Sequence, residues 1–428
     1  MKHCLTIPTN RECAIFLQKY CEECKYAKNN LNLDIGFLIV DTNEESVSKR
    51  HKDILKKYSD DIDIYYMDNK DQMKFLEFLV SKEQEKERQK LLEILNPSRC
   101  SYGAAANKTF LYATALGADF IHRRDSDTMP QEVRGKKIYP IESENEFLGK
   151  KYCSILNCEK INSVYPEILL CGSNYVGEWA TDLKELYEYD KDIFYKYCNL
   201  GVRKNTSLKH LKEVLDKRYI NEKAKKFTKD EFELTFDKLA EVGNHSILDI
   251  FKYIPIIPAC DATSTDYLYH NILAKMKIPM VYHNRHVIHQ HEKIRDSESS
   301  FYTYQMKIFK HRGMYVIINK FLDELAYDKL FSYQEKLTIN TEYYIAQYEK
   351  VINEKYDVEL NKVFDEIESI VSSVQIPKYQ NVVKLFHKQR EQLINDIYQD
   401  LDDYKFLLQM WSKLITNASL YKVKKLKK

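Results

Sequence analysis

The feature that most narrows what this chain can fold into is the regular exchange of short apolar runs with amphipathic stretches over its first 124 residues. "HCLTIPT" predicts a strand over 3–9, and "RECAIFLQKYCEECKYA" after it carries apolar residues at helical spacing. "DIGFLIVDTN" is a second apolar run bounded by turn formers, followed by a predicted helix from Glu44 to Tyr58 and a strand in "DIDIYYMD". One long charged amphipathic helix is expected through "QMKFLEFLVSKEQEKERQKLLEIL". "SYGAAANKTFLYATALG" then predicts a helix closed by Gly117, and "ADFIHRR" a fourth strand. Repeated βα units of this kind imply a largely parallel sheet covered by helices.

In such a sheet ligands gather at the carboxyl ends of the strands. The polar residues of this chain fall there: Thr9, Asn10 and Arg11 after the first strand, Asp41 and Thr42 after the second, Asp68 after the third, Asp125 and Asp127 after the fourth. Neither GxGxxG nor GxxxxGK[ST] occurs, so phosphates cannot be held by a dinucleotide fingerprint or a P-loop. The run "DFIHRRDSDTMP" crowds four charges into Arg123–Asp127 at a strand end. Residues two apart in extended chain point to one side with Cα atoms about 6.5 Å apart, so Asp125 and Asp127 can face one ion. Carboxylate oxygens suit Mg2+ or Mn2+, which keep open positions for water and substrate phosphates. Arg123 or Arg124 is then placed to meet an anionic ligand. A surface turn in which Asp, Ser and Thr satisfy the backbone is the competing explanation of an isolated D-x-D.

The remainder is read more coarsely. From Thr181 to about Leu248 the pattern is helical, with a capping box from Thr228 to Glu231 before "FELTFDKLA", and reads as an insertion. A short strand and helix follow in the stretch ending at His283, and beyond Ser300 the pattern is helical to a basic end, "VKKLKK". The expected organisation is an α/β unit over 1–182 and 241–295, a helical insertion over 183–240, and a C-terminal all-helical region over 296–428. With 66 Lys and Arg against 64 Asp and Glu, no global field points to nucleic acid. No stretch approaches a membrane span and the start lacks a signal core, so a cytoplasmic location is expected. The basic end is a candidate for peripheral membrane contact, and the helical region for homo-oligomer formation. The ten cysteines read as reduced; Cys21 and Cys24 form the one close pair and read as half-buried helix residues rather than a zinc site.

Taken in order, "LTIPTNR", the Asp after the second strand, the Asn-Lys pair in "GAAANK" and the strand-terminal D-S-D resemble GT-A nucleotide-sugar glycosyltransferases over about residues 2–293, the helical insertion excluded. The resemblance implies a GT-A fold, a Rossmann-like mixed sheet flanked by helices. It implies a UDP- or GDP-sugar donor across the strand ends, with its diphosphate bound through Mn2+ or Mg2+ to Asp125 and Asp127. By the same resemblance Thr9, Asn10 and Arg11 line the nucleotide pocket, Asp41 reaches the base or ribose, and Asn107, Lys108 and Arg124 contact nucleotide or sugar. The small residues Ala104, Ala105 and Ala106 would let a flat ligand approach the helix. The acidic element opening a helix corresponds to "CDATSTDYLYHNILAKMKIP", with Asp266 the expected general base and Asp261 its substitute. Thr265 stands where the family often has Glu, which leaves inversion or retention open, and a helix-opening Asp is also explained by the dipole alone. Of the histidines in "VYHNRHVIHQHEK", His289 or His291 is expected at the metal, with a four-histidine zinc site as the alternative. Gly172, Ser173 and Trp179 are expected on the acceptor side, the acceptor being a glycan, a protein or peptide, or a small molecule. The function implied is a metal-dependent glycosyltransferase of hexosyltransferase type. A nucleotidyltransferase and a non-catalytic interaction protein on the same scaffold are the alternatives; the absence of glycine in "PTNRECA" disfavours the first.

Overall fold

In the computed structural model of the protein, residues 2–155, 167–177, 184–200, 212, 215, 227–236, 240–290, 297–333 and 337–427 are described. The strands β1 (His3–Thr9), β2 (Ile35–Asp41), β3 (Asp63–Met67) and β4 (Phe120–Arg124) alternate with helices α1 (Ala14–Asn30), α2 (Glu45–Leu55), α3 (Asn69–Leu79), α4 (Glu85–Leu95) and α5 (Tyr102–Ala115). β5 (Thr128–Val133), β6 (Lys136–Ile138), β7 (Leu170–Gly172), β8 (Tyr175–Gly177), β9 (Phe232–Thr235), β10 (Asn244–Leu248), β11 (Met280–His283) and β12 (Val287–His289) complete the two sheets that matter for the site. The larger has the order β3-β2-β1-β4-β10-β7-β11-β9 and the smaller β6-β5-β12-β8. β1 to β4 run parallel, while β10 is antiparallel to both β4 and β7. The expected class is therefore found: a mixed sheet flanked by helices, followed by a C-terminal helical region.

β1 and β2 read as unbroken apolar runs because both faces of the sheet are covered. One face buries Leu5, Ile7, Phe37 and Ile39 against Leu17 and Tyr20 of α1. The other shares one continuous core with the C-terminal helices. The 43-residue helix Pro377–Ser419 is tied to the α/β layer by Trp411 Nε1 donating to Phe251 O at 3.0 Å, Tyr404 OH to Pro255 O at 3.0 Å and Asn417 Nδ2 to Leu79 O at 2.7 Å.

Several local expectations need correction. The single charged helix over 72–95 is two helices, α3 and α4, separated at Val80–Gln84, because Val80 turns inward as a buried C-cap of α3. "FELT" is not helical: Phe232–Thr235 is β9, an edge strand paired with β11, so sheet hydrogen bonds outweigh the capping signal before it. The C-terminal region includes a hairpin, Phe331–Tyr333 with Leu337–Ile339. At the basic end Leu426 N donates to Ile64 O at 2.8 Å and Lys425 pairs with Asp63 at 2.6 Å. Cys21 and Cys24 are fully rather than half buried, and burial pushes both thiols up. Among the described residues no helix is long and apolar enough to cross a membrane.

Candidate active site

β4 of the large sheet ends at Arg124 and β5 of the small sheet begins at Thr128, so Asp125-Ser126-Asp127 is the link between the two sheets. The turn is fixed by Thr128, whose N–H and hydroxyl both donate to Asp125 O, at 3.2 and 2.9 Å. Asp125, a third exposed, accepts from Tyr175 OH at 2.5 Å. Asp127 is buried; Arg11 Nη1 lies 2.5 Å and His289 Nε2 3.5 Å from its Oδ2. His289 arrives through the small sheet, where β12 sits between β5 and β8 and pairs His289 with Thr128 and with Gly177. Two residues back, Val287 pairs with Tyr175, and the Tyr175 ring stacks on His289 with centroids 5.1 Å apart. Tyr175 thus touches Asp125 with its hydroxyl and His289 with its ring.

A third carboxylate comes from 141 positions further along the chain than Asp125. Asp266 stands in a 3-10 turn, Thr265–Tyr267, that opens the helix Leu268–Lys275. Arg123 Nη2 lies 3.0 Å from Asp266 Oδ2 and 3.6 Å from Asp125 Oδ1, so one guanidinium group joins the two acids. Burial raises the Asp266 pKa; Arg123 draws it down and Asp125 pushes it up again, leaving it above the usual carboxylate range. Behind them Tyr267 OH donates to Glu241, and Gly243 N donates to Tyr175 OH at 3.1 Å. A Cβ on Gly243 would lie 2.1 Å from Asp125 Cγ, so only glycine lets this turn pass so close to the acid. Buried, neutral His245 and His270 stack beneath at 5.1 Å, burial holding both below their ordinary pKa.

Several expected ligand contacts are taken up inside the protein. Arg124 alternates with Arg123 along β4 and points to the opposite face, fully buried between Glu144 and Glu23 at 2.8 and 2.9 Å. Asp41 is fully buried: Oδ1 accepts from Asn43 N and Nδ2, each at 2.7 Å, and Oδ2 from Tyr66 OH and, at 2.8 Å, from His51 Nδ1, leaving nothing for a base or ribose. Asn107 makes a two-way bond to the Ile256 backbone, at 2.7 and 2.8 Å. Lys108 Nζ donates to Gln72 and Asn96, each at 2.8 Å, and burial alone lowers its pKa to about 8. At the start of α5 it is protein backbone that comes close, since a Cβ on Gly103 would lie 1.9 Å from Ile257 O. Gly172 likewise meets Ala240 and Asn244, while Ser173 Oγ, buried, is bonded to His283 O at 2.6 Å and His286 Nδ1 at 2.5 Å, so neither presents itself to an acceptor. Asp261 is paired with Arg99 at 2.9 Å, and Arg99 lines a cavity of about 430 Å3 with Cys260, Asp396 and Asp400. Among the described residues the histidines of this segment do not face one point: His283 is buried in β11, His286 faces Ser173, and His289 faces Asp127. His291 and Trp179 lie outside the described residues.

The arrangement therefore unites Asp125, Asp127, His289, Asp266 and Arg11, with Thr9 and exposed Asn10 on the adjoining loop. Thr9 braces that loop, its Oγ1 donating to Arg11 O at 3.1 Å. Among the described residues no three His, Cys, Asp or Glu side chains close on a common point. The donor set fits a hard divalent cation only as an open site, with Asp127 and His289 side by side, Asp125 on the exposed edge, and other positions left to ligand oxygens. Sequence reasoning missed Tyr175, Glu241, Gly243 and Tyr267; "GSNYVG" carries no motif that singles out its tyrosine.

A family model described as a family of unknown function (DUF6271) matches residues 1–427. No curated protein matches. Among solved structures the chain is similar to a mannosyltransferase from Pyrobaculum calidifontis in complex with GDP-Man and Mn2+, at 7% identity and a TM-score of 0.34, over 98% of this chain and 87% of that one.

Proposed function

The chain belongs to the DUF6271 family, and we propose that it is a glycosyltransferase using a nucleoside-diphosphate sugar. The observation that supports this reading most directly is the chain of contacts at the carboxyl end of β4, where Arg123 links Asp125 to Asp266 and Asp127 lies beside His289 and Arg11, on a loop that also bears exposed Asn10. Carboxylates gathered at a strand end with an imidazole and two arginines suit an anionic ligand carrying its own divalent cation.

Asp127, His289 and Asp125 are the residues that would hold Mn2+ or Mg2+. A cation so held offsets charge on the departing diphosphate. Thr9, Asn10 and Arg11 form the nucleotide side. Asp266 is the base: its carboxylate takes the proton of an acceptor hydroxyl as that oxygen bonds to the anomeric carbon. The bond from that carbon to the diphosphate oxygen breaks at the same time, and its electron pair leaves with the nucleoside diphosphate. This displacement inverts the anomeric centre. A pKa raised by burial makes Asp266 a stronger base than an exposed carboxylate, and Arg123 keeps it oriented towards Asp125. Tyr175 orients Asp125 and His289 together.

The test is nucleotide release from a panel of UDP- and GDP-sugars with Mn2+, with Mg2+ and with chelator. Metal-dependent release from one donor, lost in Asp125→Ala and Asp127→Ala, is the expected result. Unchanged turnover in those variants, or no release from any donor with either metal, refutes the reading.

A further inference from the structure

The face of the large sheet that carries Arg123 holds a group of buried polar atoms that the described protein does not pair. Thr6, Arg123 and His245 lie side by side on β1, β4 and β10, because Thr6 is the register partner of Arg123 and Arg123 that of His245. Register partners point to one face, so the three side chains share it. Over them comes the turn that bears Asp266. Arg123 Nη2 meets Asp266 at 3.0 Å, and the His270 ring, on the helix that follows, stacks on His245 at 5.1 Å. Six buried atoms here have no hydrogen-bond partner among the described residues: Thr6 Oγ1, Arg123 Nε, His245 Nδ1, Thr265 Oγ1 and both ring nitrogens of His270. All five residues are 8% exposed or less.

The six are complementary as donors and acceptors. Arg123 Nε only donates, each hydroxyl does both, and a neutral imidazole carries one donor and one acceptor. Burial holds His245 and His270 in that neutral form. A polar atom kept dry gives up its bond to water and receives nothing in return, and six such losses together would weigh against the whole stability of a domain. Folded chains meet this demand with ordered internal water, each molecule taking about three polar partners. Six atoms therefore suit about two waters.

We propose that Thr6, Arg123, His245, Thr265 and His270 form an internal hydration site, a cluster of ordered waters bound between the sheet and the turn that carries Asp266. Arg123 is then held at Nη2 by Asp266 and at Nε by water, so the guanidinium that links Asp266 to Asp125 is fixed from inside the fold. The site is a property of the fold and stands or falls independently of any donor sugar.

The test combines water deuterium relaxation dispersion, which counts waters held longer than the molecule tumbles, with thermal unfolding of the full-length chain. His270→Phe removes two of the six atoms and Thr6→Val and Thr265→Val one hydroxyl each at nearly constant shape. At least one of about two long-lived waters is expected to be lost from the dispersion amplitude in His270→Phe. Each Thr→Val variant is expected to lower Tm by about 2 °C, because a bound water then lacks a partner. A dry site predicts the reverse sign, since replacing an unpaired buried hydroxyl by a methyl removes a cost. Unchanged dispersion amplitude in His270→Phe, or a raised Tm in both Thr→Val variants, overturns the proposal. If His270→Phe does not fold, the dispersion comparison is made on Thr265→Val, with the same two outcomes.

Discussion

Arg124→Leu tests whether the two adjacent arginines have the separate roles the structure gives them. Arg124 is fully buried and makes paired contacts with each of two buried glutamates: Nη1 and Nη2 to Glu144 at 2.9 and 2.8 Å, Nη2 and Nε to Glu23 at 2.9 and 3.3 Å. Leucine fills much of the space but leaves two carboxylates in the core, still partnered by His122 at 2.8 Å and by Ile141 N at 3.1 Å but without a permanent cation. Breaking a buried ion pair from one side costs about 3–5 kcal/mol, and a loss at the upper end is expected because two acids are stranded. Equilibrium urea unfolding at pH 7 measures it. The pH dependence supplies a second readout. Burial alone would raise the Glu144 carboxyl, but Arg124 and His122 hold it far below the usual range, so in wild type this acid contributes stability above its unfolded pKa and loses it as pH falls. In Arg124→Leu burial is no longer offset by the arginine, the folded pKa rises, and the variant should recover stability as pH drops from 7 towards 5. A loss below about 1 kcal/mol, or a difference from wild type that does not shrink on acidification, refutes the assignment of Arg124 to the core.

Gly243→Ala places a methyl 2.1 Å from Asp125 Cγ and 2.2 Å from Tyr175 OH; overpacking should cost about 1–3 kcal/mol in unfolding and lower Mn2+ affinity, and unchanged Mn2+ binding would deny Asp125 its place at the cation. Lys108 has its pKa lowered to about 8 by burial, so the folded chain binds fewer protons than the unfolded one between pH 8 and 10.5. Wild type should therefore gain on the order of 3 kcal/mol relative to Lys108→Met as pH rises from 7 to 10, measured by urea unfolding at each pH. Asn107→Ala leaves a buried carbonyl and N–H of Ile256 unpaired, which should cost about 2–4 kcal/mol; a fall in nucleotide affinity with no fall in stability would return Asn107 to the ligand.

The βα alternation was legible because helical and strand periodicities are local, and the strand ends at Thr9, Asp41, Met67 and Arg124 fall where the apolar runs stop. The single helix read over 72–95 failed for want of any Gly or Pro at Val80–Gln84 to mark the break. "FELT" failed because an edge strand is decided by its partner β11, which lies 45 residues further on. The acids Asp125, Asp127 and Asp266, with His289, were legible as residue types; in the fold Arg123 links Asp266 to Asp125, and His289 lies 3.5 Å from Asp127. Asp41, Asn107 and Lys108 had equally suitable chemistry, and no local pattern separates them from the residues that stay available.

By itself the sequence determined the first four strands, the class of sheet and the position of an acidic pair at the fourth strand end, since each follows from hydrophobic spacing and turn chemistry within a few residues. Which polar groups stay free to meet a ligand was decided only by the tertiary structure. Asp41 loses its carboxylate to His51 and Tyr66, and Asn107 its amide to Ile256, while Asp125 gains Tyr175 across 50 residues. The physical reason is that a buried polar group must find a partner wherever the fold brings one, and that partner is set by packing between segments remote in the chain.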